Sequence, residues 1–303
     1  NITSNARDVS DREAGRRFSL KNMNVTSAFS SGKIILSGEY AVVFGFPGLA
    51  VPSSLGLHVS LETSQAGKPL TVQWEREPTN EWQLYAKEIV QRLQKQRSPV
   101  FGTLTISYDL PLGKGMGAST ALLIALCRTI IGADCKGIAR HLEDSLNRGH
   151  SGIDFTTIWE GKPTLYRKGA PPQAVDYPLS YLKDAFLIDT GLPGEPTPEL
   201  VAWVRQREED CRSALNAIGS CTERLLAGEE PYRVIRDHHR AQVSLGVVQK
   251  KVQGLIAAIE RNGGAAKVIG AGGKTRGAGM VLALGKNLER VVSPYQTLQL
   301  RYD

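Results

Sequence analysis

The stretch Pro111-Leu-Gly-Lys-Gly-Met-Gly-Ala-Ser-Thr120 constrains this 303-residue chain more than any other. An alternating polar/apolar strand pattern at 104–108 leads into it, and an apolar helical pattern from Ser119 to about Ile131 leads out. Glycines let backbone approach a ligand closely, and a new helix points free N–H groups and a positive dipole end at it, so the geometry suits phosphate. Lys114 adds a charge to the loop, and Ser119 offers a hydroxyl to a phosphate or a metal. A plain glycine turn has the same spacing. Gly113, Gly115 and Ala118 also satisfy the dinucleotide-binding fingerprint, with Asp134 where a ribose-binding acid would stand. Against that, the preceding strand alternates, whereas a central parallel strand is continuously apolar. Gly273-Lys274-Thr275 ends like a nucleotide-binding P-loop, but position 268 is Val where that loop needs glycine.

Around the loop, strands and helices interleave in both halves, which predicts a two-domain α/β or α+β protein. Strand patterns fall at 25–29, 32–36, 57–63, 70–74, 185–188, 267–269 and 280–283. Helical patterns fall at 81–94, 136–147, 197–227 and 232–261. The proline- and glycine-bearing segment 169–180 is the linker candidate, dividing domains at 23–175 and 176–303, with residues 1–22 set apart as a polar tail. A net charge of +7 raises the question of nucleic acid, yet the basic residues are dispersed and form no Lys/Arg block, so no nucleic-acid partner is expected. No uncharged apolar run approaches the ~20 residues that span a bilayer. The polar start shows no secretory leader, and Cys127, Cys135, Cys211 and Cys221 show no metal spacing, so reduced thiols and a cytoplasmic location are expected.

Four segments, in order, resemble the signatures of the GHMP kinase superfamily, and among its members the mevalonate kinases most. They are Ser31 to Ala50 with its Gly38-Glu39-Tyr40 and Gly45/Pro47 turn, the loop 111–120, Ser151-Gly-Ile-Asp154 with Gly161-Lys-Pro and Tyr166-Arg-Lys-Gly169, and Gly270 to Gly279. Each is weak alone; the ordered set is specific and spans about 27–285. The resemblance implies an α+β GHMP kinase fold, with a ribosomal-protein-S5-like first domain, a ferredoxin-like second domain and the site between them. It implies ATP and Mg²⁺ as cofactors, a small-molecule acceptor and, as a habit of that family, a homodimer. The favoured acceptor is mevalonate at its 5-hydroxyl; the alternatives are a phosphomevalonate or other GHMP kinase, a nicotinamide-dependent oxidoreductase built on 113–118, or a catalytically inactive nucleotide-binding protein.

The same resemblance distributes roles. Asp154 matches the catalytic aspartate that orients the acceptor hydroxyl and takes its proton, and Lys33 the lysine that stabilises developing charge. Pro111, Gly113, Lys114, Gly115, Met116, Gly117, Ala118, Ser119 and Thr120 match the ATP-phosphate loop. Glu143, with Ser119, matches the Mg²⁺ ligands. Glu39, Tyr40, Thr197 and Gly272 match positions near the acceptor. Tyr40 stands where mevalonate kinases usually carry His, Ala118 where a serine is common, His150 where a proline is usual, and Phe155 in place of Asn or Ala. Lys274-Thr-Arg276 replaces further glycines, a basic loop available to an extra phosphate. His238, His239, Cys211 and Cys221 read as ordinary helix or surface residues.

Overall fold

The computed structural model describes residues 25–64, 69–96, 99–147 and 151–302; the tail 1–22 and His150 lie outside the described residues. The first sheet is built on two long strands, β1 (Val25–Ser37) and β2 (Gly48–Thr63), paired antiparallel. The expected break at Ser30-Ser31 is a bulge instead: the strand runs through, and its register against β2 shifts between Ser31 and Lys33. Gly32 fits there because a Cβ would lie 2.4 Å from Leu110 Cδ1 and 2.9 Å from the Met116 carbonyl. The bulge thus seats the phosphate-loop candidate on β1 and aims Lys33 inward. Residues 41–44 form a 3-10 turn that stops at Gly45, φ 93°, where a glycine relieves the left-handed conformation.

β3 (Thr71–Trp74), α1 (Asn80–Gln96) and β4 (Gly102–Tyr108) follow. α2 (Ala118–Ile130), α3 (Lys136–Leu146) and α4 (Ile153–Glu160) come next, before β5 (Thr164–Tyr166) and β6 (Gln173–Ala174). The sheet order is β3-β4-β2-β5-β6, with β1 on β2. β4 runs antiparallel to β2, and β3–β4 is the single parallel pair among the described strands of the two sheets. A doubly wound parallel sheet is therefore absent among the described residues, which removes the nicotinamide-binding reading of 113–118. The linker candidate 169–180 is partly structured: β6 belongs to the first sheet, and a 3-10 turn begins at Ser180.

The second half contains β7 (Phe186–Asp189), α5 (Thr197–Gln206), α6 (Glu208–Leu226), α7 (Pro231–Leu245) and α8 (Lys250–Arg261). β8 (Ala265–Val268), β9 (Met280–Leu284), α9 (Glu289–Val292) and β10 (Gln296–Gln299) complete it. The antiparallel order β10-β7-β9-β8 is the ferredoxin-like arrangement, the last strand beside the first. Each of the two long helical patterns is split. The first breaks at Arg207; the second ends at Gly246, φ 80°, the position where glycine terminates a helix.

α2 is buried almost all round, as a helix between sheet and neighbouring helices must be. Its Leu122, Leu123 and Leu126 pack with Ile34, Val59 and Ile106 of the first sheet. β9 is buried on both faces: Met280, Leu282 and Leu284 complete that core, while Val281 and Ala283 form a second core with α5–α8. Each fully buried Leu or Ile contributes ~1.5–3 kcal/mol. The second sheet is therefore shared wall, and the cleft opens where the cores meet.

Candidate active site

A cleft of about 610 Å³ lies between the halves. Lys33, Asp154, Gly113, Gly115, Gly117, Ala118 and Ser119 line it from the first half, and Thr197, Val201, Gly270 and Ala271 from the second. Three glycines of the loop have φ of 71°, 79° and 72° at Gly113, Gly115 and Gly117. Side chains are strained there, so the alternating glycines keep cleft-facing backbone bare. Between them Met116 points the other way, fully buried in the core, and anchors the loop. Gly117 is the N-cap of α2, so the helix's unpaired N–H groups open onto the cleft beside Ser119.

Lys33 ties three parts together. Its backbone N–H donates to the Met116 carbonyl at 2.9 Å and its ammonium to the Gly115 carbonyl at 3.0 Å. The same ammonium lies 3.3 Å from Asp154 Oδ1. Asp154 sits in the first turn of α4, whose positive end favours a carboxylate. Ser151 Oγ accepts the Ile153 N–H at 3.3 Å and shapes that turn. Gly117 packs against the pair: a Cβ would be 3.1 Å from Lys33 Cγ and 3.4 Å from Asp154 Oδ2.

Glu143 is buried one layer behind the loop. Thr120 Oγ1 donates to its Oε1 at 2.7 Å and Asn147 Nδ2 to its Oε2 at 3.0 Å. Ser119 lines the cleft and Glu143 does not; both offer oxygen, the donor Mg²⁺ takes, and among the described residues no cluster of three or more His, Cys, Asp or Glu stands together to hold a metal. Lys114 turns to the second half, its ammonium 2.8 and 3.0 Å from the Asp189 oxygens.

The acceptor-side candidates separate. Glu39 lines the cleft floor but is almost fully buried, accepting a short hydrogen bond from Lys267 and lying 3.1 Å from His238 Nε2. Burial opposes its ionisation, but the Lys267 charge and then His238 outweigh that and hold the carboxyl down at about 2. Burial lowers the Lys267 ammonium and the His238 imidazole, and Glu39 pulls both back. Tyr40, at φ 65°, lines the cleft and donates its hydroxyl to the Ala271 carbonyl; burial, with Glu39 and Glu195, raises its pKa, so it stays a phenol. Thr197 begins α5 on the cleft wall. Gly272 is not on that wall: its Cα packs toward the Val247 carbonyl, 2.3 Å from where a Cβ would sit. Lys274 and Thr275 also lie off the wall, their N–H groups donating to Glu195 at 3.0 and 3.3 Å. His238 and His239 are on a helix, but both are buried rather than at the surface. Cys211 and Cys221 are buried free thiols.

Sequence reasoning missed Lys267 and His238 as partners of Glu39, and the α1 side chains Glu81, Trp82 and Tyr85 that line the cleft. The helical spacing of Trp82 and Tyr85 was visible, but amphipathic spacing does not separate a core face from a cleft wall.

Relatives and solved structures are similar to this chain along most of its length. The mevalonate kinase of Methanococcus jannaschii superposes with a TM-score of 0.79 at 15% identity, over 94% of this chain and 99% of that one. This is the GHMP kinase fold. The structure of L. major mevalonate kinase in complex with R-mevalonate superposes at 0.74, 18% identical, over 94% of this chain and 99% of that one. In sequence, the mevalonate kinase of Pyrococcus furiosus is 28% identical over 88% of this chain and 91% of its own. No family model matches the chain. The resemblance to GHMP kinases, and among them to mevalonate kinases, thus holds in both sequence and fold.

Proposed function

We propose that this chain transfers the ATP γ-phosphate to the 5-hydroxyl of mevalonate, giving 5-phosphomevalonate and ADP. One observation carries the chemistry: the Lys33–Asp154 pair, 3.3 Å apart, beside a bare glycine loop at a helix N-terminus. The names of the relatives supply the acceptor. Phosphoryl transfer needs positioning and charge neutralisation more than covalent help from the protein. Asp154 orients the hydroxyl and accepts its proton; Lys33 stays beside both and meets the charge that builds on the transferred group. The loop N–H groups from Gly113 to Ser119 hold the phosphates, and Trp82 and Tyr85, whose rings meet edge to face, give the adenine an aromatic wall. Mg²⁺, when bound, neutralises the phosphates, and Ser119 and Glu143 are the residues to hold it. Glu39, Tyr40 and Thr197 border the acceptor.

A phosphorylated acceptor is less well supported. The basic residues Lys274 and Arg276 that would receive its extra phosphate do not line the cleft. The division at 175/176 is retained as a proposal, supported by the first sheet's last strand ending at Ala174 and the second sheet's first beginning at Phe186. A homodimer and a cytoplasmic location are likewise proposals. Free thiols at all four cysteines support the second, and no described helix is long and apolar enough to cross a membrane. Light scattering tests the first. The activity is tested by Mg-ATP-dependent ADP release with mevalonate, 5-phosphomevalonate, homoserine and galactose in parallel. Turnover on mevalonate alone is expected; turnover only on another acceptor overturns the assignment.

A further inference from the structure

Lys114 is the one side chain of the glycine loop that carries a charge, and it does not face the cleft. Gly113 and Gly115 on either side line the cavity; Lys114 instead reaches across to the end of β7. Its ammonium is shared between both Asp189 oxygens, at 2.8 and 3.0 Å, with only 15% and 27% of the two side chains exposed. Such shielding from solvent makes the pair stronger than a freely exposed surface pair. Asp189 is itself fixed. It ends a strand paired on both sides, with Met280 and Gln296, and its Oδ1 accepts the Gly191 N–H at 2.9 Å. The next residue, Thr190, bonds the Gly279 carbonyl at 2.8 Å, which stiffens the platform.

Among the described residues, the loop's other hydrogen bonds are to its own half. Lys33 holds Gly115 and Met116, and the same ammonium holds Asp154. Loop, lysine and catalytic aspartate therefore form one body. The acceptor wall of Thr197, Val201, Gly270 and Ala271 belongs to the other. On the cleft side the two bodies meet at bare backbone: a Cβ on Gly115 would be 3.7 Å from Gly270 Cα. Among the described residues, the ion pair is the polar side-chain link from the loop to the second sheet.

We propose that Asp189 is a positioning residue. It clamps Lys114, and so seats the phosphate loop against Gly270 at the spacing the transfer needs; Lys114 acts through this clamp and not as a phosphate ligand. The inference rests on the reading of the cleft as an ATP site. Asp189→Asn is the probe, since Asn keeps an oxygen for Gly191 while losing the charge, and Lys114→Met is its counterpart. Two measurements separate the clamp from the ATP reading. In the ligand-free protein, amide hydrogen exchange across 111–120 is expected to rise in both variants. By calorimetry, each is expected to bind ATP about five- to tenfold more weakly, with the double variant no worse than either single one, as for residues acting as a unit. Unchanged exchange overturns the clamp whether or not ATP binds. Tighter ATP binding by Asp189→Asn also overturns it, because Lys114 would then have been freed to reach phosphate. A parent protein with raised loop exchange in both variants but no ATP binding keeps the clamp and removes the ATP reading.

Discussion

In the proposed transfer two residues carry the chemistry, and their surroundings predict different consequences of losing each. Asp154 faces the cleft with a third of its side chain exposed, and Lys33 ties it to the loop. Asp154→Asn should therefore leave the fold and nucleotide affinity nearly unchanged while lowering kcat ~10²–10⁴-fold, the range for removing a general base. Near-normal kcat in steady-state assays would reassign the base. Lys33 is buried and holds two loop carbonyls as well as Asp154. Lys33→Met keeps the stem and its backbone bond but not the charge. The expected loss is ~10²–10³-fold in kcat with a smaller rise in the KM for ATP, since the charge acts on the transition state. A change confined to KM would make Lys33 a binding residue only.

At the scale of elements, the glycine loop allows a controlled comparison. Gly113 and Gly117 have nearly the same φ, 71° and 72°, so alanine at either costs similar backbone strain, ~1–2 kcal/mol. A Cβ at Gly113 meets nothing within 4 Å, whereas at Gly117 it lies 3.0 Å from Ile158 Cδ1 and 3.1 Å from Lys33 Cγ. Gly117→Ala should thus lose more thermal stability than Gly113→Ala, and distinctly more kcat. Equal kcat for the two would mean that displacing Lys33 is harmless. The loop, the strand before it and the helix after it were legible in the sequence because glycine spacing and periodicity are local signals. α4 was not: its eight residues follow a Gly-Ser turn and are too short for periodicity to show. The splits at Arg207 and Gly246 were hidden inside long apolar patterns, and the short strands β5, β6 and β10 have too few residues to alternate. Lys114 was legible as a charge on the loop, but its partner 75 residues away was not. Lys267 and His238 were likewise invisible as partners of Glu39, for their contact depends on how α7 and β8 meet β1's end.

For the whole molecule, that buried contact joins the halves and should make stability acid-sensitive. Lys267 spans the junction, donating to the Ile35 carbonyl at 3.0 Å as well as to Glu39. Glu39 has its carboxyl held at about 2 against an ordinary 4.5, so its contribution is complete above pH 4.5 and drains away as pH falls toward 2. His239, lowered by burial and then by His238 to about 4 from 6.5, and His238, lowered by burial and Lys267, both stay neutral in the folded chain. The unfolded chain binds their protons first, so their effect has the same sign and begins as pH drops below 6.5. Stability should therefore fall steadily from pH 6.5 downward, first through the histidines and then through Glu39. Glu39→Gln should steepen the problem at neutral pH, since it strands the buried Lys267 charge at a cost of ~3–5 kcal/mol. Adding Lys267→Met to Glu39→Gln should recover most of that loss, because a buried pair replaced as a whole costs far less than a pair broken. Thermal melts of the three proteins at pH 7, 5 and 4 check this. A parent Tm that stays flat from pH 7 to 4, or a double variant no more stable than Glu39→Gln, would show that the buried cluster does not hold the halves together.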